Sequence, residues 1–329
     1  MMKSTNSSGF LGARKVSTGS LPDIDLAPLY GGPPAGRREM LARMRAACTE
    51  SGFFFVHGTR LTDRIITETL RQSVRFHELA EDSKRAYHNS RSQLGRGWWP
   101  LHEEPAYQPG TVAFVESFDI GPEQEHLDLA HHAGPNLWPE IPGFREAVWG
   151  CYEVLEELGD RLLVAFAEML ELESDTFSRW RGPFSRSQMR LLRYPENDAP
   201  LDEINVGISA HTDFECFTLM YQTAPGLQVK NLQDEWVQLP AGPPRWMVIL
   251  GDMLERWSNG YLKATAHRVV NTSWERLSIV MFCAVDGDTV VQPLPQFVSA
   301  GNPSRYERVT QGQHLDQQVD AALQRKRDS

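Results

Sequence analysis

Apolar side chains recur with the period of an α-helix in three stretches of the first half of the chain. The first covers residues 37–50 and ends before Gly52, the second covers residues 61–79 with Thr62 as its predicted N-cap, and the third runs from 144 to about 172. Each stretch has one apolar face, as in helices that pack on a core. We therefore predict three amphipathic helices, of which the third is the longest.

Short runs with the character of β-strands lie between and after these helices. GFFFVHG at residues 52–58 and TVAFVESFDIG at 111–121 predict strands, whereas the Gly-, Pro- and aromatic-rich residues 92–110 predict an irregular loop. After Ser185 seven strand-like runs are separated by turn residues: SQMRLLRYP, ECFTLMYQ, GLQVKN, EWVQLP, RWMVILGD, AHRVVN and RLSIVMFCAV. This spacing is typical of a β-sandwich or barrel.

The change of pattern along the chain predicts four segments. Residues 1–20 lack the apolar centre of a signal peptide and are expected to form a disordered tail. We expect a mostly helical region over 21–180 that packs on a strand-rich core over 181–300. The C-terminal segment, 301–329, contains a predicted surface helix at 315–325 that ends in charged residues.

Composition and charge narrow the class of protein. Hydrophobic residues make up 41% and charged residues 23% of the chain, which is typical of a globular domain. The net charge of −10 argues against a nucleic-acid or anionic-membrane partner, and no apolar run reaches the roughly 18 residues of a membrane span. The four cysteines are widely spaced without a CxxC pair, which favours a reducing cytoplasm over a disulfide framework or a zinc knuckle.

A candidate metal site begins with His211 and Asp213 in the run GISAHTDFECFTLMYQ. We expect both residues at the start of one strand, where side chains two residues apart point to the same face. His267, in a later predicted strand, would add a second imidazole. Two histidines and one carboxylate form the facial triad of non-haem Fe(II) oxygenases, which leaves three positions of an octahedron open.

A candidate anion site follows this triad. Arg276 and Ser278 are two residues apart on a predicted strand, so their side chains share a face. A guanidinium can form a two-pronged hydrogen bond with a carboxylate, and the hydroxyl adds another donor. The pair is therefore predicted to anchor a dicarboxylate.

Taken together, these motifs resemble the isopenicillin N synthase-like family of Fe(II)- and 2-oxoglutarate-dependent oxygenases. The resemblance covers roughly residues 21–295 and rests on features that occur in the family's order: LPDIDL, GFFFVHG, Arg193-Tyr194-Pro195, His211-x-Asp213, His267 and Arg276-x-Ser278. It implies a distorted double-stranded β-helix, or jelly roll, with iron inside one mouth and the N-terminal helices packed against it. It also implies that residues 21–300 form one catalytic unit.

The same resemblance implies roles for the co-substrate residues. Arg276 and Ser278 would hold the distal carboxylate of 2-oxoglutarate, and Tyr194 would contact the carboxylate of co-substrate or substrate. Plant members of the family commonly carry Asn two residues before this tyrosine, whereas this chain has Leu192. One co-substrate hydrogen bond found there is therefore expected to be absent or replaced.

The resemblance implies an oxidoreductase that uses Fe(II), 2-oxoglutarate and O2, with ascorbate as a candidate reductant. The expected reaction hydroxylates a small organic molecule, in specialised metabolism, while 2-oxoglutarate is decarboxylated to succinate and CO2. Asp213 argues against halogenation, because the related halogenases carry a small residue there. Two alternatives stay open: an Fe(II)/O2 oxidase without 2-oxoglutarate, as in isopenicillin N synthase and amino-cyclopropane-carboxylate oxidase, and a non-catalytic jelly-roll binding or sensor protein.

Six residues are candidates for the substrate pocket. Three lie in the aromatic-rich loop and three on strands that follow the metal motifs: Arg96, Trp98, Trp99, Phe217, Leu219 and Phe282. A competing histidine cluster, His126, His131 and His132, lies among acidic residues. It has neither strand-fixed geometry nor a dicarboxylate anchor, so we interpret it as a solvated loop.

Overall fold

The computed structural model describes residues 10–16, 21–197, 204–240 and 245–328. Its helices are α1 (Pro34–Glu50), α2 (Asp63–His77), α3 (Glu81–Lys84), α4 (Phe144–Met169), α5 (Asp252–Trp257) and α6 (Gln311–Arg327). Short 3-10 turns cover Phe10–Gly12, Ala27–Leu29, Arg85–Tyr87, Asn89–Arg91, Ser178–Trp180 and Pro295–Phe297. Among the helices of these residues, none combines the length and the apolar character that crossing a bilayer requires.

The strands follow the predicted runs. They are β1 (Arg14–Lys15), β2 (Asp23–Asp25), β3 (Phe53–His57), β4 (Gly97–Trp99), β5 (Val112–Ala113), β6 (Glu116–Ile120), β7 (Gln188–Tyr194), β8 (Asn205–Val206), β9 (Ile208–His211), β10 (Phe217–Gln222), β11 (Leu227–Lys230), β12 (Trp236–Gln238), β13 (Trp246–Leu250), β14 (His267–Val269), β15 (Arg276–Cys283), β16 (Val290–Val291) and β17 (Val309–Thr310). The run ECFTLMYQ thus becomes β10 and RLSIVMFCAV becomes β15.

The three predicted helices are confirmed with small changes at their ends. α1 begins at Pro34, three residues before the predicted start, because proline is well suited to the first turn of a helix. The hydroxyl of Thr62 caps α2 by accepting a hydrogen bond from the backbone N–H of Ile65 at 3.4 Å. α4 spans 26 residues and ends at Met169.

Two sheets form the double-stranded β-helix that the family resemblance implied. The major sheet has eight strands in the order β2-β3-β13-β10-β15-β7-β6-β4, and the minor sheet has five in the order β1-β12-β11-β14-β9. The central pairings of the major sheet, β13-β10-β15-β7-β6, are all antiparallel. Within the described residues, β16 with β17 and β5 with β8 form two further small sheets.

The major sheet separates two apolar layers. Its inner face meets the minor sheet across a core that includes Leu192, Met220, Leu227, Val229, Val269 and Val280. Its outer face packs against the helices through residues that include Phe118, Leu155, Phe166, Leu191, Phe217 and Leu219. The inner layer is the one that holds the candidate site.

The predicted segments differ from the structure in two places. Of the predicted disordered tail, residues 1–9 and 17–20 lie outside the described residues, but Arg14 and Lys15 form β1 and pair with β12 in the minor sheet. The region 21–180 is also more than a helical layer, since it supplies β2, β3, β4 and β6 of the major sheet. A boundary at residue 180 therefore does not separate two structural layers.

Candidate metal centre and substrate cavity

The imidazoles of His211 and His267 and the carboxylate of Asp213 converge inside the jelly roll. One ligand atom from each lies within 4.8 Å of the others, and within the described part of the chain no other group of three such residues does so. The Nε2 atoms of His211 and His267 lie 3.5 and 3.6 Å from Oδ1 of Asp213. These spacings would let one metal ion contact all three side chains.

Strand pairing places the two histidines side by side. His211 is the last residue of β9 and His267 the first of β14, and the two are direct partners in the antiparallel pair. Their ring centroids are 4.4 Å apart. The prediction that His267 adds a second imidazole from a later strand is consistent with this register.

We expected Asp213 to share a strand with His211, but it lies outside that strand. β9 ends at His211, and Asp213 belongs to the connection to β10. The hydroxyl of Thr218 in β10 donates a short hydrogen bond to Oδ2 of Asp213, and the backbone carbonyl of Asp213 accepts from the N–H of Asp252 at 2.9 Å. The carboxylate is thus positioned by two neighbouring elements and not by strand alternation.

Backbone carbonyls determine which ring nitrogen of each histidine faces the centre. Nδ1 of His211 lies 2.8 Å from the carbonyl of Ser209, and Nδ1 of His267 lies 3.0 Å from that of Thr265. A proton on each Nδ1 satisfies the carbonyl and leaves the lone pair on Nε2, which is the arrangement that metal-binding histidines need.

The charges of the cluster suit a cation. Burial raises the pKa of Asp213, but His267, His211 and the Thr218 hydroxyl outweigh it and bring that pKa down to about 2. Burial lowers the pKa of His267. At neutral pH the cluster therefore offers a carboxylate and a neutral imidazole at His267.

On β15, Arg276 and Ser278 present unused donors on the inner face of the major sheet. Arg276 is 1% exposed, and its Nε and Nη2 donate to Oε1 of Gln222 at 3.2 and 2.9 Å. Its Nη1 and the Oγ of Ser278 are buried with no partner among the described residues. Since buried unpaired donors are costly, the pair fits an incoming acceptor such as a carboxylate.

Tyr194 and Leu192 lie opposite this pair on β7. Tyr194 is the register partner of Arg276, whose guanidinium carbon lies 4.5 Å from the tyrosine ring centroid. Leu192 is the partner of Ser278. An apolar side chain therefore occupies the position of the family's asparagine, and the structure offers no amide donor there.

A cavity of about 510 Å³ opens beside His211 and Asp213. Of the six predicted pocket residues, Arg96, Trp99 and Phe282 line it. The aromatic loop is partly ordered as β4, whose residues pair with β6. It therefore presents alternate side chains to opposite faces of the sheet.

The other three predicted pocket residues are in the packed core, so those predictions are wrong. Trp98 is 2% exposed and donates from Nε1 to Glu116 at 3.1 Å on the outer face of the sheet. Phe217 and Leu219 are fully buried against the helices, with Phe217 in ring contact with Phe166 at 5.2 Å. The break after His211 resets the strand, so Thr218, and not Phe217, faces Asp213.

Sequence reasoning missed a buried ionic network in the cavity wall. Arg190 donates to both oxygens of Glu104 at 2.8 and 2.7 Å and from Nε to Asp119 at 2.9 Å. The hydroxyl of Tyr107 donates to Glu104 at 3.1 Å, and the tyrosine ring stacks on His211 with centroids 4.3 Å apart. Strand alternation in the sequence could have placed Arg190 at the site, because it shares a strand face with Tyr194. Glu104 lies in a loop, where no sequence pattern indicates its partner.

The C-terminal helix is also more than a surface helix. Leu315, Val319 and Leu323 of α6 line the cavity at intervals of four residues. α6 is attached through His314, whose Nε2 lies 2.8 Å from Oδ2 of Asp252. The prediction of a solvated surface helix therefore holds for only one side of α6.

The three competing histidines, His126, His131 and His132, lie in different environments. Nδ1 of His131 lies 2.6 Å from Asp128, and its ring stacks on Phe184 with centroids 4.2 Å apart. His126 is exposed, whereas His132 lines the cavity beside His211 and Asp213. In the described residues, these three do not form a metal-binding cluster.

Comparison with known proteins identifies the family. Residues 186–285 match the model of the 2OG-Fe(II) oxygenase superfamily, and residues 21–141 match that of the N-terminal region of the non-haem dioxygenase in morphine synthesis. The 2-oxoglutarate-Fe(II) type oxidoreductase hxnY of Emericella nidulans is 30% identical over 305 residues, covering 88% of this chain and 86% of the relative. The homoarginine-6-hydroxylase 2-ODD-C23 of Glycine max is 29% identical and covers 91% and 96%.

A solved structure agrees with these matches. A 2OG-Fe(II) oxygenase family protein from Caulobacter crescentus superposes with a TM-score of 0.79 at 28% identity, covering 92% of this chain and 99% of that one. Fold, motifs and whole-length relatives thus lead to one conclusion: the chain belongs to the 2-oxoglutarate–Fe(II) oxygenase superfamily and is an Fe(II)- and 2-oxoglutarate-dependent dioxygenase of small molecules.

Proposed function

We propose that His211, Asp213 and His267 bind the Fe(II) of this dioxygenase. The supporting observation is the convergence of one anionic carboxylate and two Nε2 atoms whose orientation is set by backbone carbonyls. A mixed set of two imidazoles and one carboxylate suits a divalent iron and covers only one side of it. The neighbouring Thr218 keeps Asp213 oriented for this role.

We further propose that Arg276 and Ser278 bind the distal carboxylate of 2-oxoglutarate, with Tyr194 beside them. Support comes from the two buried donors that lack a partner among the described residues, Nη1 of Arg276 and Oγ of Ser278. Gln222 holds the remaining guanidinium nitrogens, so the side chain is already oriented before the co-substrate arrives. The aromatic ring of Tyr194 forms the adjacent wall.

The proposed outcome is hydroxylation of a C–H bond in a small organic substrate. When bound, Fe(II) with 2-oxoglutarate and O2 supplies the oxidation: one oxygen atom enters the C–H bond, the other enters succinate, and CO2 is released. The protein's own residues position substrate in the 510 Å³ cavity. Hydroxylation is also the activity in the name of the Glycine max relative.

A cytoplasmic location is part of the proposal. The four cysteines are buried and unpaired, which suits a reducing compartment. The net charge of −10 favours a small-molecule substrate over nucleic acid or an anionic membrane surface.

Release of succinate tests this function. With Fe(II), 2-oxoglutarate and air, the wild-type protein is expected to form succinate slowly, and faster when a substrate is present. Asp213→Ala should form none, whereas His131→Ala, which removes an exposed histidine paired with Asp128, should match the wild type. Oxidation of a substrate without succinate would instead support the oxidase alternative, and no O2 uptake under any condition would support a binding protein.

A further inference from the structure

The charged residues in the wall of the substrate cavity are mostly paired with one another. Arg190 contacts both Glu104 and Asp119, and Arg186 donates to Asp316 of α6 at 2.8 Å. These pairs leave little net charge for a ligand to neutralise. Asp213 and Glu215 lie on the metal side, and Asp320 is exposed on α6.

Arg96 is the exception. It lines the cavity and is 3% exposed, yet within the described residues no carboxylate oxygen lies within 4.0 Å of its guanidinium. Its contacts are to neutral groups, all through Nη1: the carbonyls of Pro122 and Gly134 at 2.9 Å each and Oδ1 of Asn136 at 3.3 Å. Nε and Nη2 donate to none of the described residues, so three N–H groups of a buried cation are unused.

The fold holds this guanidinium in one orientation. A Cβ atom at Gly121 would lie 2.8 Å from both Nε and Nη2 of Arg96 and 2.9 Å from Cζ, so the face of the guanidinium packs directly on the glycine. Asn136 fixes Gly121 in turn, by accepting from its N–H and donating to its carbonyl at 2.9 Å each. A side chain at 121 would therefore displace this guanidinium, which its Nη1 contacts orient before any ligand binds.

A buried cation that contacts no carboxylate is costly, and Glu123, which lies beyond contact distance, offsets the burial of Arg96 only in part, so a ligand that supplies a negative charge is favoured. Burial lowers the pKa of Arg96 to about 10, so the side chain is still a cation at neutral pH. A guanidinium edge with two free nitrogens matches the two oxygens of a carboxylate. A doubly charged phosphate fits less well, because Asp316 and Asp320 of α6 also line the cavity.

We propose that Arg96 binds a carboxylate of the substrate, so that the enzyme oxidises small organic acids with an apolar body. This inference rests on the proposed function and names its substrate class. The apolar part of the cavity matches such a body and is formed by Trp99, Phe214, Phe282, Leu315, Val319 and Leu323. A cavity of this size accommodates a typical small-molecule ligand.

The substrate anchor and the co-substrate anchor are separate. Arg276 is the register partner of Tyr194 on β7. Arg96 directly precedes Gly97 of β4, and Gly97 is aligned through Asp119 of β6 with Arg190 of β7. Tyr194 and Arg190 are four residues apart, or about 13 Å along a strand. Each arginine can therefore bind its own carboxylate without competition.

Binding of acids and their amides tests the proposal. The probes are the straight-chain phenyl-substituted acids from phenylacetic to phenylvaleric acid, each compared with its own primary amide. Calorimetry is done without oxygen on protein that holds Fe(II) and 2-oxoglutarate. At least one acid should bind about 10- to 100-fold more tightly than its amide, the range for hydrogen bonds to a charged group.

Three variants test whether a preference for acids over amides comes from Arg96. Arg96→Gln should reduce the acid-over-amide ratio to less than about threefold, and Arg96→Lys, which keeps the charge but loses the paired donors, should give an intermediate ratio. Arg179→Gln removes an exposed arginine paired with Asp175, neither of which lines the cavity, and should keep the wild-type ratio. Thermal midpoints confirm that each variant is folded.

The outcomes separate the two proposals. If the wild type binds 2-oxoglutarate but no acid binds better than its amide, or no probe binds, the substrate class is wrong and the proposed function stands. A preference that persists in Arg96→Gln also overturns the role of Arg96. If the wild type does not bind 2-oxoglutarate, the proposed function itself fails.

Discussion

Strands β7 and β15 each present two faces, and the side chains on the two faces differ completely in chemistry. The outer face carries Met189 and Leu191 on β7 and Ile279 and Met281 on β15, all buried in the apolar layer beneath the helices. The inner face carries Arg190, Tyr194, Arg276 and Ser278 among its buried side chains. Because strand neighbours alternate between faces, stability and chemistry can change independently at adjacent positions.

The helices that cover the two faces differ in the same way. α4 covers the outer face and buries 13 residues, whereas α6 closes the cavity on the inner side and has only Gln311, Gly312, His314 and Ala322 buried. Substitutions beneath α4 should therefore lower the stability of the fold first, and substitutions on the inner face or α6 should change binding first.

The largest effect is expected for His267→Ala. Loss of a group that merely orients a metal-binding residue costs about 10- to 100-fold in affinity or activity, and loss of the ligand itself should cost more. When one equivalent of Fe(II) is added, we expect the variant to bind no measurable iron and to form no succinate, while its thermal midpoint is almost unchanged. Iron content and circular dichroism melting check this; stoichiometric iron in the variant would show that the centre was wrongly placed.

Arg276→Ala should raise the dissociation constant for 2-oxoglutarate by about two to four orders of magnitude, since breaking a buried ion pair costs about 3 to 5 kcal/mol. Ser278→Ala is the matched change on the same strand face and should cost only about 1 kcal/mol. Titration of the Fe(II) complex with 2-oxoglutarate measures both. Equal affinities in wild type and Arg276→Ala would remove Arg276 from the co-substrate site.

On the outer face, Phe217→Ala should lower the free energy of unfolding by about 3 to 5 kcal/mol through lost burial and the cavity left behind. Its neighbour Thr218 faces Asp213, so the adjacent change Thr218→Val should instead affect iron affinity. Urea unfolding and iron titration on both variants check the contrast. If Phe217→Ala weakened iron binding as much as it weakened the fold, the two faces would not be independent.

Asp119, on the inner face, should make the stability of the fold depend on pH. Burial raises its pKa, despite its contacts with Arg190, to about 6 in the folded protein. A raised carboxyl pKa stabilises the fold below about pH 4, and this contribution of at most about 3 kcal/mol is lost as pH rises to 6. The stability of wild type relative to Asp119→Asn should therefore fall between pH 4 and 6 and then stay level; urea midpoints that differ by a constant amount from pH 4 to 7 would argue against it.

The smallest effect is expected at the start of α6. Thr310 and Gln313 form a capping box, with the Thr310 hydroxyl accepting from the N–H of Gln313 at 3.1 Å. Thr310→Ala should destabilise this end by about 1 kcal/mol and weaken substrate binding while 2-oxoglutarate affinity is unchanged. The two affinities, measured on the same preparation, check it; equal weakening of both would mean that α6 supports more than the substrate cavity.

Much of the fold could be predicted because its signals are local. The helical periods of α1, α2 and α4 and the apolar runs of β7, β10 and β15 each depend on neighbouring residues, and all appear in the structure. The order of the motifs along the chain, from LPDIDL and GFFFVHG to His211-x-Asp213, His267 and Arg276-x-Ser278, carried the resemblance to the family and its fold.

The errors arose where an element begins or ends. Strand alternation counted through Asp213 placed Phe217 and Leu219 on the wrong face, because β9 ends at His211 and β10 starts a new phase. Trp98 and Trp99 were treated alike, but a strand sends consecutive side chains to opposite faces. Partners that are distant in sequence, such as Glu104 for Arg190, follow from tertiary packing and left no local pattern.

Anaerobic titration of the wild-type protein with Fe(II) and 2-oxoglutarate tests the central claim most directly. Chelation of the metal by the keto acid produces a visible charge-transfer band. The account predicts that this band saturates at one Fe(II) and one 2-oxoglutarate per chain and is abolished by His211→Ala. A band that persists in His211→Ala, or no band in the folded wild-type protein, would contradict it.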